Sequence, residues 1–76
     1  MSLRLESRSG VRLTKSEALV LQMMADGLAG KEIAAALMVT LGTVNFHLGS
    51  VYRKLGARNR IDAVRQATRH GFVSWN

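Results

Sequence analysis

Residues 40–60 read TLGTVNFHLGSVYRKLGARNR and contain the longest helical pattern of the chain. On a helix with 100° per residue, four apolar residues fall within about 60° of one another: Val44, Leu48, Val51 and Leu55. Thr40 can cap this helix at its N terminus, and Gly56 can end it in the left-handed conformation. The pattern therefore predicts a helix over residues 41–55 that buries the apolar stripe in a core.

The opposite half of this helix, which we call the outer half, has an unusual composition for a surface that meets water alone. Phe46 lies about 170° from the centre of the apolar stripe, Arg53 lies beside it, and Asn45 lies at the border. The remaining members are small, polar or basic: Gly42, Thr43, Gly49, Ser50 and Lys54. Each interior glycine costs about 1 kcal/mol of helix stability, and an outward Phe gains nothing unless a partner covers it. The outer half therefore predicts a binding surface.

The major groove of DNA would account for each of these residues. Small residues allow close approach of the helix, Phe46 can contact a thymine methyl group, and Asn45 can form two hydrogen bonds with an adenine edge. Thr43, Arg53 and Lys54 can contact phosphates. The pattern alone leaves a structural interpretation open, in which Phe46 packs against a neighbouring element or is simply exposed, and the basic residues form an ordinary solvated face.

The net charge of +6 favours an anionic partner, because residues 41–60 carry four basic residues and no acidic one. Nucleic acid is the first candidate and a membrane surface the second. The apolar stripe of helix 41–55 is needed for the core and cannot also face lipid. No apolar run approaches the roughly 20 residues that a membrane span needs. We therefore expect double-stranded DNA, and no membrane, as the partner.

The rest of the chain predicts three more helices. Thr14 and Glu17 have the spacing of a capping box, which starts the first helix. A shorter helix follows over residues 30–38, and a fourth begins after a cap at Asn59 and ends at Gly71. Because the connections between the first three helices are short, these helices must fold back or cross sharply. We expect an all-α fold, a compact four-helix bundle.

The domain organisation follows from the same pattern. Residues 1–12 show no sustained period and are expected to be a flexible lead-in or the remnant of a linker. Residues 13–76 are expected to form one domain, because a chain of this length can bury one small core.

Catalytic and metal sites have no support in the sequence. The chain has no cysteine, so it offers no thiolate nucleophile and no cysteine-based zinc site, and its two histidines are a poor basis for a metal site. Ser16 and Ser50 lack a base partner for nucleophilic catalysis. We therefore expect no enzyme activity, no metal and no cofactor.

Three runs resemble the LuxR/FixJ-type helix-turn-helix family: KEIA at 31–34, GTV followed by FHL within 42–48, and RKLGARNR at 53–60. The similarity continues without gaps over about residues 13–70. The run VNFH at 44–47 is most similar to the acyl-homoserine-lactone receptors, which form the quorum-sensing branch of the family.

The resemblance implies the four-helix DNA-binding domain of a bacterial transcription regulator. Its second and third helices would form a helix-turn-helix, with helix 41–55 in the major groove of a specific double-stranded site. It places base contacts at Asn45, Phe46 and Gly49. It places phosphate contacts at or near Lys31, Thr43, Arg53, Lys54 and Arg60. Family members often form homodimers through the fourth helix, where the resemblance implies contacts at Asp62, Ala63, Gln66 and Ala67. Gly49 departs from the family, since it has no side chain where a basic or polar residue is common.

Two alternatives stay open on the sequence. The helices can instead form a protein-interaction module that docks a partner such as RNA polymerase, or an antagonist that competes with a full-length relative for DNA. An N-terminal receiver or ligand-binding domain is usual in the family, and residues 1–12 leave no room for one. The chain is therefore expected to be the C-terminal domain of a longer protein or a free-standing regulator. We expect it in the bacterial cytoplasm, associated with the nucleoid.

Overall fold

The computed structural model describes residues 4–7 and 9–73, and the other residues of the expected segments 1–12 and 13–76 lie outside that description. Four helices follow one another along the chain: α1 (Lys15–Ala25), α2 (Gly30–Leu37), α3 (Leu41–Leu55) and α4 (Arg60–His70). The described residues form no strand beyond one isolated antiparallel bridge between Glu6 and Arg12. The predicted all-α fold with four helices is confirmed, and the limits of α3 agree with the prediction.

Local hydrogen bonds explain where the helices begin. Thr14 Oγ1 accepts a hydrogen bond from Glu17 N at 3.1 Å, and Glu17 Oε1 accepts one from Thr14 N at 2.7 Å, which completes the predicted capping box. Thr40 caps α3 and Asn59 caps α4 in the same way, and each accepts a bond from the backbone N–H three residues on, at 3.1 and 2.9 Å. These side chains satisfy donors that have no partner inside the helix.

The turn between α2 and α3 is tight and bends the chain by 110°. Met38 ends α2 in the left-handed conformation, with φ 58° and ψ 43°. This conformation costs a residue other than glycine roughly 1–2 kcal/mol. The Met38 side chain is 92% exposed, so packing within the described residues does not offset that cost. The sharp bend produces the helix-turn-helix arrangement of α2 and α3.

Helix α3 packs against α1, α2 and α4, and its contacts with α1 and α2 are the most extensive between helices. Val44 and Val51 of the predicted stripe have no exposed surface, Leu55 is buried, and Leu48 packs at the edge of the core. Buried apolar residues of α1 and α2 cover the stripe: Ala18, Val20, Leu21, Met24, Ile33 and Ala34. Burial of one stripe fixes the rotation of α3 and leaves its opposite side toward solvent.

The described residues before α1, which are 4–7 and 9–14, fold back on themselves where a flexible lead-in was expected. Ser7 N donates to Val11 O at 2.9 Å, and Leu13 N donates to Leu5 O at 2.7 Å, so the chain folds back on itself. Ser7 is buried, and its Oγ accepts a hydrogen bond from Val11 N at 3.0 Å. Leu13 is 1% exposed and anchors the turn in the core. A turn with one bridge has no alternating apolar pattern, which is why the sequence pattern did not predict it.

No single helix among residues 4–7 and 9–73 is long and apolar enough to cross a membrane. Helices α2 and α3 together meet the requirement in length and composition, but they are bent by 110° where they join.

Candidate nucleic-acid interface

One side of α3 faces solvent along the middle of the helix. Asn45, Phe46, Gly49 and Arg53 lie on this side, and we call these four residues the recognition face. Phe46 is 71% exposed, and its ring meets the ring of its neighbour His47 edge-on at 5.7 Å. Asn45 and Arg53 are exposed, and Gly49 is half-buried. The interpretation in which Phe46 packs against a neighbouring element is therefore wrong, and the ring is available to a partner.

The Arg53 side chain bends back along α3 and lies over Gly49. A Cβ atom at Gly49 would be 3.6 Å from Arg53 Nη1, which is ordinary van der Waals contact. Side chains on a helix lean toward its N terminus, so a residue covers the position about one turn before it. The guanidinium has no hydrogen-bond or ion-pair partner in the described part of the chain. Its positive charge therefore lies at the middle of the recognition face.

The start of α3 lies close to the start of α2. A Cβ atom at Gly30 would be 2.9 Å from Leu41 Cδ1, so the missing side chain permits this approach. Lys31 follows directly and is exposed. Thr43 is half-buried, and its Oγ1 is 3.0 Å from Thr40 Oγ1. The predicted phosphate-contacting residues Lys31 and Thr43 thus border the N terminus of α3, where free backbone N–H groups favour an anion.

Lys54 and Ser50 face α1, which corrects their predicted place on the outer half. Lys54 Nζ is 2.6 Å from Glu17 Oε1, and Ser50 Oγ donates a hydrogen bond to Oε2 of the same carboxylate. The Glu17 side chain is 5% exposed and that of Lys54 is 35% exposed. Because a buried carboxylate needs donors and a cation to offset its lost hydration, the nearest side chains of α3 turn toward it. Lys54 is therefore not an unopposed cation.

The carboxylate of Glu17 is ionised throughout the physiological pH range. Burial would raise its pKa, but the hydrogen bonds from Lys54, Ser50 and the Thr14 N–H, together with the charge of Lys54, outweigh burial. They lower the pKa of Glu17 from 4.5 to about 2. The four positive charges of residues 41–60 therefore overstate the positive field that a partner meets at α3.

Arg60, a predicted phosphate contact, also has partners inside the protein. Its Nη2 donates to Met24 O at 3.0 Å and to Leu28 O at 2.6 Å. Met24 lies in the last turn of α1, where carbonyl groups lack intrahelical partners and a positive charge is favourable. Arg60 therefore joins the start of α4 to the end of α1. Arg53 and Arg58 are the basic residues of 41–60 whose side chains have no partner within the described residues.

The predicted dimer contacts on α4 divide between core and surface. Ala63 and Ala67 have no exposed surface and belong to the core, which corrects their predicted role at a dimer interface. Asp62 and Gln66 are half-buried. Ile61 is 75% exposed and was not among the predicted dimer contacts. It lies about 160° around the helix from the buried Ala63. A large apolar residue outside the buried stripe of α4 was the signal in the sequence that could have identified it.

Comparison with known proteins places this four-helix arrangement in a family. Residues 11–67 match the family described as GerE, bacterial regulatory proteins of the luxR family. The chain belongs to the luxR family. A luxR-family relative, the transcriptional regulatory protein YdfI of Bacillus subtilis (strain 168), is 41% identical over 69 residues. That alignment covers 91% of this chain and 32% of YdfI, so the chain spans less than half of the length of this relative.

Solved structures in the luxR family have the same fold. The transcription factor GerE superposes with a TM-score of 0.77 at 29% identity, over 82% of this chain and 92% of GerE. The VqmA dimer of Vibrio cholerae, a LuxR-type receptor solved in the absence of its target DNA, superposes with a TM-score of 0.79 at 25% identity. This match covers 88% of the chain and 31% of VqmA. The predicted LuxR-type helix-turn-helix is confirmed, and the matching family consists of bacterial regulatory proteins.

Proposed function

We propose that this luxR-family chain binds a specific double-stranded DNA sequence and regulates bacterial transcription, with α3 in the major groove. The observation that carries the proposal is the recognition face: Phe46 is 71% exposed on a helix whose opposite side, at Val44 and Val51, is fully buried. The major groove is about 12 Å wide and admits an α-helix. Helices α1, α2 and α4 hold α3 from the other sides, so the recognition face is the part of α3 that can enter the groove.

The side chains of the recognition face suit base edges. The exposed amide of Asn45 can accept a hydrogen bond from N6 of an adenine and donate one to N7. The Phe46 ring can contact the methyl group of a thymine. Gly49 has no side chain, which leaves space between this face of the helix and the bases. We therefore assign sequence recognition to these three residues.

Phosphate contacts fall to residues at the start of the helix-turn-helix. We assign them to Lys31, Thr43 and the backbone N–H groups that begin α3. Lys54 and Arg60 are left out, because their charged groups already bind Glu17 and the carbonyl groups at the end of α1. Arg53 supplies positive charge within the recognition face itself.

We infer that two copies associate on DNA through α4. Ile61 supports this inference, because a 75% exposed isoleucine gains from contact with a second apolar surface. The dimeric state of VqmA supports it as well. The proposed contact surrounds Ile61, with Asp62 and Gln66 at its edges. A two-fold dimer of this kind matches a pseudo-palindromic site with half-sites about one helical turn apart.

The relatives that are much longer than this chain support its action as the DNA-binding part of a longer regulator. In the proposal, a receiver or ligand-binding domain supplies the signal. The run VNFH at 44–47 and the similarity to VqmA support the receptor branch that acts in quorum sensing. We place the protein in the bacterial cytoplasm at the nucleoid, with RNA polymerase as a partner at promoters. The function is binding and includes no catalytic step.

Fluorescence anisotropy with labelled duplexes at two salt concentrations tests the proposal. We expect the affinity to fall steeply as salt rises, because contacts with phosphates release counterions. On a selected site, Asn45→Ala should cost about 1–3 kcal/mol at one base pair and relax the preference there. The matched control Arg58→Ala should affect all sequences equally.

Two outcomes of these titrations would contradict the proposal. Absent or salt-independent duplex binding would refute DNA binding and favour a protein-interaction module. Strictly one copy of the chain on each site would refute the dimer while leaving DNA binding intact.

A further inference from the structure

The middle of the recognition face has a gap at Gly49, and the guanidinium of Arg53 lies in it. Arg53 Nη1 is 3.6 Å from the place that a Cβ atom at Gly49 would occupy. Residues three and four positions apart are neighbours on a helix surface, so Gly49 lies next to both Asn45 and Phe46. The guanidinium is therefore close to the positions that we assign to base contacts, and it does not extend beyond the end of α3.

Packing inside the protein does not explain the glycine. An interior glycine costs a helix about 1 kcal/mol relative to alanine. Outside its chain neighbours and the adjacent helix backbone, a Cβ atom at Gly49 would meet only Arg53 within 4 Å among the described residues, so the core does not require its absence. The benefit of Gly49 must therefore lie on the solvent side of α3, where the Arg53 side chain occupies the space.

Stabilisation of the helix does not explain the position of Arg53 either. A cation in the last turn is favourable when it lies near the final carbonyl groups, but Nη1 of Arg53 lies one turn back toward the middle of α3. The neighbouring cation, Lys54, is already bound to Glu17 at 2.6 Å. Arg53 is therefore the cation that α3 offers to a partner.

We propose that Arg53 recognises a guanine through the gap at Gly49, by donating two hydrogen bonds to O6 and N7 in the major groove. The planar, forked guanidinium matches this pair of acceptors. A contact with a phosphate would not require the guanidinium to lie in the gap at the middle of the recognition face. The inference rests on the proposed function and sharpens it. Arg53 moves from the phosphate contacts to the base contacts, and Gly49 acts by leaving room for it.

Two steps test this assignment. A binding site is first selected from a randomised duplex pool, and the affinity is then measured for every single-base-pair variant of that site. The full chain should prefer G·C at one base pair by roughly 5- to 150-fold. Arg53→Lys keeps the charge but lacks the rigid fork, so it should weaken this preference and keep the others. The matched control Arg58→Lys should retain the preference.

The outcomes separate the inference from the proposed function. An equal loss of affinity on every variant with Arg53→Lys would assign Arg53 to a phosphate and overturn the inference, while DNA binding would stand. Absence of duplex binding by the unaltered chain would overturn both.

Gly49→Gln tests the gap without changing Arg53. A long side chain at this position occupies the space that now holds the guanidinium, so the same G·C preference should fall. Arg53→Lys should then add little further loss at that base pair, because both substitutions remove one contact. Circular dichroism checks that each variant is folded. An unchanged preference in Gly49→Gln would show that the gap has no part in recognition.

Discussion

Arg53 and Lys54 are neighbours in the sequence but lie in opposite environments on α3. Lys54 Nζ is 2.6 Å from an oxygen of the buried Glu17, whereas the Arg53 guanidinium lies over Gly49 on the solvent side. A rotation of 100° per residue is enough to direct one cation toward α1 and the other toward a partner. A count of basic residues therefore gives only the formal charge of a stretch of sequence. The electrostatic field that a partner meets depends on which of those residues already have a counter-charge.

Acidification should produce the largest effect on the free energy of unfolding, because it protonates the Glu17 carboxylate that is paired with Lys54. The pKa of Glu17 is about 2 in the folded protein, against an ordinary value of 4.5. The stabilisation from the ionised carboxylate is therefore fully present above about pH 4.5 and is lost as the pH falls toward 2. A depression of this size corresponds to about 3 kcal/mol.

Urea unfolding at a series of pH values, compared between the unaltered chain and Glu17→Gln, measures this loss. The free energies of unfolding of the two proteins should differ above pH 4.5 and converge as the pH approaches 2. A difference that does not change with pH would show that the ion pair leaves the pKa of Glu17 at its ordinary value.

Substitution of the two neighbouring cations should give the next largest effect. Lys54→Met leaves the Glu17 carboxylate buried without its cation, and we expect a loss of about 2 kcal/mol in the free energy of unfolding. This figure lies below the range for fully buried pairs, because solvent screens the partly exposed lysine. Arg53→Met, the matched control, should change stability by less than about 0.5 kcal/mol. Urea unfolding at neutral pH measures both variants. Equal losses in the free energy of unfolding would contradict the conclusion that Lys54 stabilises the fold and Arg53 does not.

The smallest expected effect concerns the salt dependence of DNA binding. Lys31→Met should reduce the slope of log affinity against log salt by about 0.9, because an exposed lysine that contacts a phosphate releases a counterion. Lys54→Met should leave that slope unchanged, since Glu17 already neutralises the lysine. Anisotropy titrations over a range of salt concentrations give both slopes. If Lys54→Met lowers the slope as much as Lys31→Met does, then Lys54 leaves Glu17 when DNA binds.

The helix limits were predictable because the groups that set them are local. The side chains of Thr14, Thr40 and Asn59 bond backbone groups three residues away, so their spacing is visible in the sequence. The apolar stripe of α3 is a periodic signal of the same kind, and it fixed which side of the helix faces solvent. The exposed position of Phe46 followed from that rotation alone.

The partners of the basic residues were not predictable in this way. Glu17 is 37 positions from Lys54, and the carbonyl groups of Met24 and Leu28 are 36 and 32 positions from Arg60. Helical periodicity gives the direction of a side chain but not the element that it meets. The contact between Arg53 and Gly49 is local, but it depends on where a long flexible side chain bends, which residue spacing does not specify.

In the proposed dimer, Arg60 affects the distance between the two α3 helices. Its bonds to Met24 O and Leu28 O fix the start of α4 against the end of α1, and α1 is joined to α3 through Glu17. In a dimer that pairs through α4, the distance between the two α3 helices is therefore set by the framework of each monomer. Such a dimer requires a fixed spacing between the half-sites on DNA. One extra base pair between the half-sites moves one of them by about 3.4 Å along the axis and also rotates it, and a rigid dimer cannot adapt to that change.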